Sequence, residues 1–173
     1  MFCIKSRETD PGGAGARSLP KAPQFATLLS ARQATKGNMQ IGLMHYTSWP
    51  TVGGVEVMLR QQAGLMAKAG HEVSVICGSG LQFSPNIKTV VLEVLNISSP
   101  SVTAAQAEIL NGFPGPGYFA LVQKLRDQLT RLLQGMDCVI AHNLMTMPFH
   151  LAATQVLTEL AEIGRASCRE RVC

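Results

Sequence analysis

The organised part of the sequence opens on a short, almost wholly apolar run, Met39-Gln40-Ile41-Gly42-Leu43-Met44-His45. A continuous apolar run of this length is typical of a strand that is buried on both faces, as in a parallel sheet. A loop with Pro50 and Gly53-Gly54 follows, and apolar residues then recur at helical spacing as far as Gly70, where a helix stop is expected. These residues therefore predict a strand, a long loop and a helix.

The same alternation continues through the middle of the chain. The predicted strands are residues 39–45, 72–77, 87–95 and 137–142, and the predicted helices are residues 55–70, 103–111, 118–132 and 148–161. Strands that alternate with helices in this way predict an α/β fold with a doubly wound, Rossmann-like parallel sheet.

In such a sheet, ligands bind at the carboxyl ends of the strands. We expect that edge to carry Tyr46–Glu56, which follow the first strand, and His142–Met147, which follow the fourth. The sequence contains no G-x-G-x-x-G, no G-x-x-x-x-G-K-[ST] and no G-x-S-x-G. Dinucleotide-binding enzymes, P-loop nucleotidases and α/β-hydrolases are therefore disfavoured.

Charge and composition exclude further classes. Of 173 residues, 46% are hydrophobic and only 15% are charged, which is the composition of a folded chain. The net charge of +4 comes from the flanks, because residues 39–161 carry six basic and seven acidic side chains. A neutral middle gives no support to nucleic-acid binding. We see no cluster with metal-ligand spacing and expect neither a metal nor another cofactor.

The pair Gly53-Gly54 precedes the first predicted helix. Two glycines allow a ligand to approach the backbone closely. The free N–H groups and positive potential of a helix start suit a diphosphate. Taken alone, a Gly-Gly pair before a helix also fits an ordinary turn.

Three motifs in order resemble the N-terminal domain of GT-B glycosyltransferases, and among them the family-four retaining enzymes. They are Pro50-Thr51-Val52-Gly53-Gly54-Val55-Glu56, then Ala69-Gly70-His71-Glu72-Val73-Ser74-Val75-Ile76, then Asp137-Cys138-Val139-Ile140-Ala141-His142-Asn143. The resemblance spans residues 39–161, and its motifs specify the superfamily without specifying a sugar or an acceptor.

The resemblance implies one Rossmann-like half of a two-domain enzyme that transfers a sugar from a nucleotide-diphosphate sugar to a glycan, lipid or small-molecule acceptor. It implies that Gly53, Gly54 and Asn143 contact the donor. It also implies that His142 is catalytic and faces the transferred sugar or the acceptor hydroxyl. Family members carry most donor contacts, and the E-x7-E motif, in a C-terminal domain that this sequence lacks. We therefore expect this chain alone to lack turnover.

The flanks carry separate expectations. Residues 1–38 combine a breaker cluster with no apolar periodicity, so we expect a disordered extension or a start codon upstream of the true one. Residues 162–173 resemble the translation of a DNA-sequencing adapter, and we expect them to be foreign to the natural protein. On that interpretation the glycosyltransferase domain, residues 39–161, is incomplete.

Two other classes stay open, a sugar-nucleotide epimerase of the same architecture and a non-catalytic flavodoxin-like binding module. No apolar run of 18 residues is present, and we expect a cytoplasmic protein. Ile109–Phe113 with Tyr118 and Phe119 also suit contact with a membrane surface, and core packing of the same residues is the alternative.

Overall fold

The computed structural model describes residues 3–5 and 37–169, with side chains described for residues 37–162. The expectations for the rest of residues 1–36 and for residues 170–173 lie outside the described residues. The strands are β1 (Cys3–Lys5), β2 (Gln40–Thr47), β3 (Glu72–Ser79), β4 (Ile87–Val91) and β5 (Cys138–Ala141). The α-helices are α1 (Gly54–Lys68), α2 (Pro100–Leu110), α3 (Pro116–Leu133) and α4 (Leu151–Arg169), and a 3₁₀ turn covers Glu93–Leu95.

The strands form one sheet in the order β1-β5-β2-β3-β4. The four strands from β2 to β5 are parallel, and the short edge strand β1 runs antiparallel to β5. The chain moves outward from β2 through β3 to β4 and then returns to place β5 on the other side of β2. This order confirms the predicted Rossmann-like α/β fold, and it puts the reversal of strand order between β2 and β5.

Helices cover both faces of the sheet. On one face α1 packs Leu59 and Ala63 against Leu43, Val75 and Ile140. On the other face α2, α3 and α4 form the larger core, whose fully buried members include Leu125, Leu129, Val156 and Leu157. Burial of each such leucine contributes about 1.5–3 kcal/mol. None of the helices in the described part of the chain is long and apolar enough to cross a bilayer.

The segment after β4 differs from its prediction. The predicted strand 87–95 ends at Val91, and Glu93–Leu95 form a 3₁₀ turn in which Leu95 donates its N–H to the oxygen of Leu92. The main chain of Leu95 and Asn96 passes directly over Gly78 of β3, where a Cβ would collide with it. The chain therefore leaves the sheet at this point.

Two helices also have different bounds from those predicted. Helix α2 begins at Pro100 because the Ser99 side chain accepts the N–H of Val102 and a proline suits the first helical position. Helix α4 begins at Leu151 and continues to Arg169, past the predicted end at residue 161. The residues after 161 include one glycine and no proline, a composition that permits a helix to continue.

The structure also bears on the two expectations for residues 109–119, core packing and contact with a membrane surface. Tyr118 is buried, whereas Leu110, Phe113 and Phe119 are 81%, 83% and 58% exposed. Core packing therefore accounts for Tyr118. It does not account for Leu110, Phe113 and Phe119, for which that expectation is wrong.

Candidate functional site

The carboxyl ends of β2 and β5 lie side by side because the two strands pair in parallel, with Met44 opposite Ala141. His142 continues this pairing and donates its N–H to the oxygen of Met44 over 2.8 Å. The loop after β2 and the turn after β5 therefore leave the same edge of the sheet, at the point where strand order reverses. The structure thus brings together the two segments that the sequence singled out.

Helix α1 starts at this edge. Gly53 is its N-cap, and the first helical bond runs from the N–H of Val57 to the oxygen of Gly53 over 3.1 Å. No side chain caps this end. The N–H groups of the first turn are accordingly oriented toward the edge without a helical partner.

The two glycines of the pair have different surroundings. A Cβ on Gly53 would collide with the carboxylate of Glu56, so Gly53 makes room for that side chain. A Cβ on Gly54 would meet nothing within 4 Å. Gly54 therefore presents open main chain, whereas the space beside Gly53 is already filled by the protein.

The Glu56 side chain turns inward from the helix start. Its Oε1 accepts a hydrogen bond from the Thr47 hydroxyl and lies 3.8 Å from Nε2 of His45. The side chains of His45 and Glu56 are only 10% and 12% exposed. The carboxylate thus joins the end of β2 to the start of α1, and the sequence motifs gave no indication of these contacts.

His45 joins this group to the turn after β5. Its Nδ1 lies 2.8 Å from the main-chain oxygen of His142. A carbonyl oxygen can only accept, so Nδ1 must carry the hydrogen and donate it. Nε2, which faces Glu56, then carries a hydrogen only when the ring is charged.

The imidazole of His142 is a polar group at this edge that its surroundings leave unsatisfied, as is the hydroxyl of Ser48 in the described part of the chain. Its Nε2 is buried and has no hydrogen-bond partner in the described part of the structure. Burial, and then the nearby His45, lower the pKa of His142 below its ordinary value. A neutral imidazole can both donate and accept a hydrogen bond, so it suits an uncharged polar ligand group.

Asn143 forms the turn that follows. It has a φ of 58°, in the left-handed region that asparagine adopts more readily than most residues. Its main-chain oxygen accepts the N–H groups of Thr146 and Met147 over 3.3 and 3.1 Å. Its side chain is exposed beside the site.

A shallow cavity adjoins the start of α1. Trp49, Thr51, Val52, Glu56, Val57 and Arg60 line it. The guanidinium of Arg60 lies 5.2 Å from the centre of the Trp49 ring, and Trp49 remains 40% exposed. Trp49 belongs to the segment Tyr46–Glu56 that the sequence analysis placed at this edge. Arg60 was missed, although Glu56 and Arg60 lie four residues apart and hence on one helix face.

The described residues contain no group of three or more His, Cys, Asp or Glu side chains that could hold a metal ion. The chain matches no protein-family model, and no curated protein matches it. The fold and the site together define a Rossmann-like α/β domain with an open helix start and a buried histidine at its strand-order reversal.

Proposed function

We propose that this chain is the acceptor-side half of a glycosyltransferase that uses a nucleotide-diphosphate sugar as donor. The observation that carries the proposal is the placement of Gly54 and His142 at one edge of the sheet. An uncapped helix start with open main chain suits the negative charge of a diphosphate. A neutral imidazole beside it suits a hydroxyl of the sugar or of the acceptor.

The orientation of the Glu56 carboxylate is compatible with a diphosphate at Gly54. Glu56 is the acidic residue of the first turn of α1, and a carboxylate there would repel a diphosphate. It is turned toward Thr47 and His45, which leaves the open side of Gly54 to the ligand. In this proposal Gly54 takes the phosphates, Gly53 makes room for Glu56, and Asn143 borders the donor.

The transfer step places charge on a leaving diphosphate, and stabilising that charge requires oriented positive groups. The described part of this edge offers main-chain N–H groups and few cationic side chains. We therefore propose that a second domain supplies cationic groups, and that the present chain binds without turnover. Equal donor affinity with and without that second domain would contradict this division of labour.

The test uses the intrinsic fluorescence of Trp49, which is the one tryptophan in the sequence and lines the cavity beside Gly54. UDP, GDP, ADP and their glucose conjugates are titrated into the wild-type chain, Gly54→Ala and Gly64→Ala. Both glycines lie in α1 with open space around them, so alanine fits the fold at either position. Gly64→Ala is therefore the matched control.

We expect at least one nucleoside diphosphate to bind wild type and Gly64→Ala equally, and Gly54→Ala about tenfold or more weakly, a difference of roughly 1.4 kcal/mol. The added methyl group would stand where the phosphates approach the main chain. Absence of binding at millimolar concentration, or equal binding by both alanine variants, would refute the proposal.

Related assays would identify the two other classes of protein, a sugar-nucleotide epimerase and a non-catalytic binding module. A sugar-nucleotide epimerase needs carboxylates in its cleft, and Glu56 is engaged by Thr47 at this edge. Interconversion of nucleotide sugars by the chain would nonetheless establish it. A non-catalytic, flavodoxin-like binding module would bind a ligand, and the protein would neither transfer nor interconvert a sugar.

We also propose that the protein contacts a membrane surface, where it would bind a lipid acceptor. Its support is the exposure of Leu110, Phe113 and Phe119 around a turn, since residues 109–121 carry no charged side chain. Sedimentation with phosphatidylglycerol-containing vesicles tests it. We expect Phe113→Ser to reduce the sedimented fraction, with Leu81→Ser, at an exposed residue remote in sequence, as control.

A further inference from the structure

Two histidines lie at the proposed site, and within the described part of the chain an acidic side chain, Glu56, faces His45 and none faces Nε2 of His142. His45 donates from Nδ1 to the main-chain oxygen of His142 over 2.8 Å, and its Nε2 lies 3.8 Å from Glu56. Nε2 of His142 is buried without a partner in the described part of the structure. Burial, and then the nearby His45, lower the pKa of His142, so a charge on His142 is disfavoured.

We propose that His45 and Glu56 are positioning residues for His142: Glu56 holds the His45 ring, and His45 holds the turn that carries His142, so that its imidazole meets a ligand hydroxyl uncharged. The identity of that hydroxyl rests on the proposed function. The positioning does not, because it follows from contacts within the ligand-free chain.

The contacts explain why His142 stays uncharged. When His45 is protonated, Nδ1–H still donates to the oxygen of His142, and Nε2–H faces the carboxylate of Glu56. Thr47 donates to the same carboxylate oxygen and fixes its orientation. Among the described residues a charged His142 would have no acidic partner at Nε2, and a charge without a partner is costly in a buried position.

The glycine pair is part of this arrangement. The carboxylate of Glu56 reaches inward through the space that a side chain on residue 53 would fill. Gly53 thus serves the Glu56–His45 contact, and Gly54 serves the ligand. The two glycines therefore lack a side chain for different reasons. This explains the presence of both better than a close approach of the ligand to both would.

The test is a histidine titration by NMR on the full chain without ligand. The sequence has four histidines, so the imidazole signals of His45, His71, His142 and His150 can each be followed. The variant His45→Asn keeps an N–H donor near the Nδ1 position but cannot carry charge.

In His45→Asn we expect the titration midpoint of His142 to rise by about half a pH unit or more, the size of effect that a nearby charge exerts through partly screened surroundings. In Glu56→Gln, which is isosteric, we expect a change in the same direction because His45 loses its acidic partner. The matched control is His71→Asn, the same chemical change at a histidine outside this group, and it should leave the His142 midpoint unchanged.

An unchanged His142 midpoint in folded His45→Asn would overturn the proposal. If His45→Asn does not fold, the His142 midpoint in Glu56→Gln decides the matter. Nucleotide binding is measured separately. A shifted midpoint without nucleotide binding refutes the proposed function alone, and nucleotide binding without a shifted midpoint refutes the positioning role alone.

Discussion

The imidazole of His150 connects the start of α4 to the main chain at Val94, 56 residues earlier in the sequence. Its Nε2 donates to the oxygen of Val94 over 2.7 Å, and its Nδ1 accepts the N–H of Ala153 over 3.2 Å. Both ring nitrogens are thus engaged in one neutral tautomer. The side chain is 1% exposed, and burial lowers the pKa of His150 below its ordinary value.

The chain should lose stability in mild acid through His150. A histidine whose pKa is lower in the folded state stabilises the fold fully above its unfolded pKa of about 6.5, and this contribution is lost as the pH falls toward the folded value. Protonation would also remove the acceptor for Ala153. Urea denaturation at several pH values measures the slope, to which one such proton contributes at most about 1.4 kcal/mol per pH unit.

His150→Asn isolates this contribution. Asparagine is a good N-cap and can still accept the N–H of Ala153, but it does not titrate. We expect a lower stability at neutral pH, because the bond to Val94 is lost, together with a shallower decline below pH 6.5. A decline as steep as that of the wild type would assign the acid sensitivity to other groups, among which His142 has the same sign.

Two glycine-to-alanine changes should have opposite effects on stability. A Cβ on Gly78 would collide with the main chain of Leu95 and Asn96, which cannot move as a flexible side chain could. We expect Gly78→Ala to destabilise the fold by about 1–3 kcal/mol.

Gly64→Ala is the contrasting change. Gly64 lies inside α1 with nothing within 4 Å of its Cβ position, so alanine improves helix propensity without a clash. We expect a gain of about 0.5–1 kcal/mol. Denaturant midpoints of the two variants in one buffer measure both effects, and a loss in Gly64→Ala would mean that the glycine has a role beyond the helix.

The sheet could be predicted from sequence because its signals are local. Runs such as Val73–Cys77 and Cys138–Ala141 are apolar in themselves, and the helices carry their own period. The exit of the chain after β4 could not be predicted, because it depends on main-chain atoms of Asn96 crossing Gly78, and neither residue signals the other in sequence.

The position of the candidate site could likewise be predicted from the sequence, whereas its side-chain contacts could not. The rule that ligands bind at the carboxyl ends of strands was enough to place Gly54 and His142 at one edge. The contacts among His45, Thr47 and Glu56 were not predictable, because they depend on side-chain directions across a loop whose course the sequence does not specify. His45 in particular gives the same sequence pattern whether it faces a ligand or the protein interior.

Arg60 should influence the emission of Trp49 more than it influences stability. The guanidinium lies over the ring at 5.2 Å, and the pair is exposed enough for a cation–π contact to contribute only about 0.5–1 kcal/mol. We expect Arg60→Met to shift the fluorescence of Trp49 and to change the unfolding free energy by no more than that amount. Arg131→Met, on α3, is the control, and identical spectra for both variants would place Arg60 away from the ring in solution.

The same substitution at two leucines tests how α2 and α3 face the core. Leu129 of α3 is fully buried in the larger core, whereas Leu110 at the end of α2 is 81% exposed. We expect Leu129→Ala to cost about 2–5 kcal/mol, since it removes buried apolar surface and leaves a cavity. Leu110→Ala should stay within about 0.5 kcal/mol of the wild type, as surface substitutions usually do. Urea denaturation of both variants measures the difference, and a large loss in Leu110→Ala would show that the exposed turn packs against protein in solution, which would remove the support for its contact with a membrane.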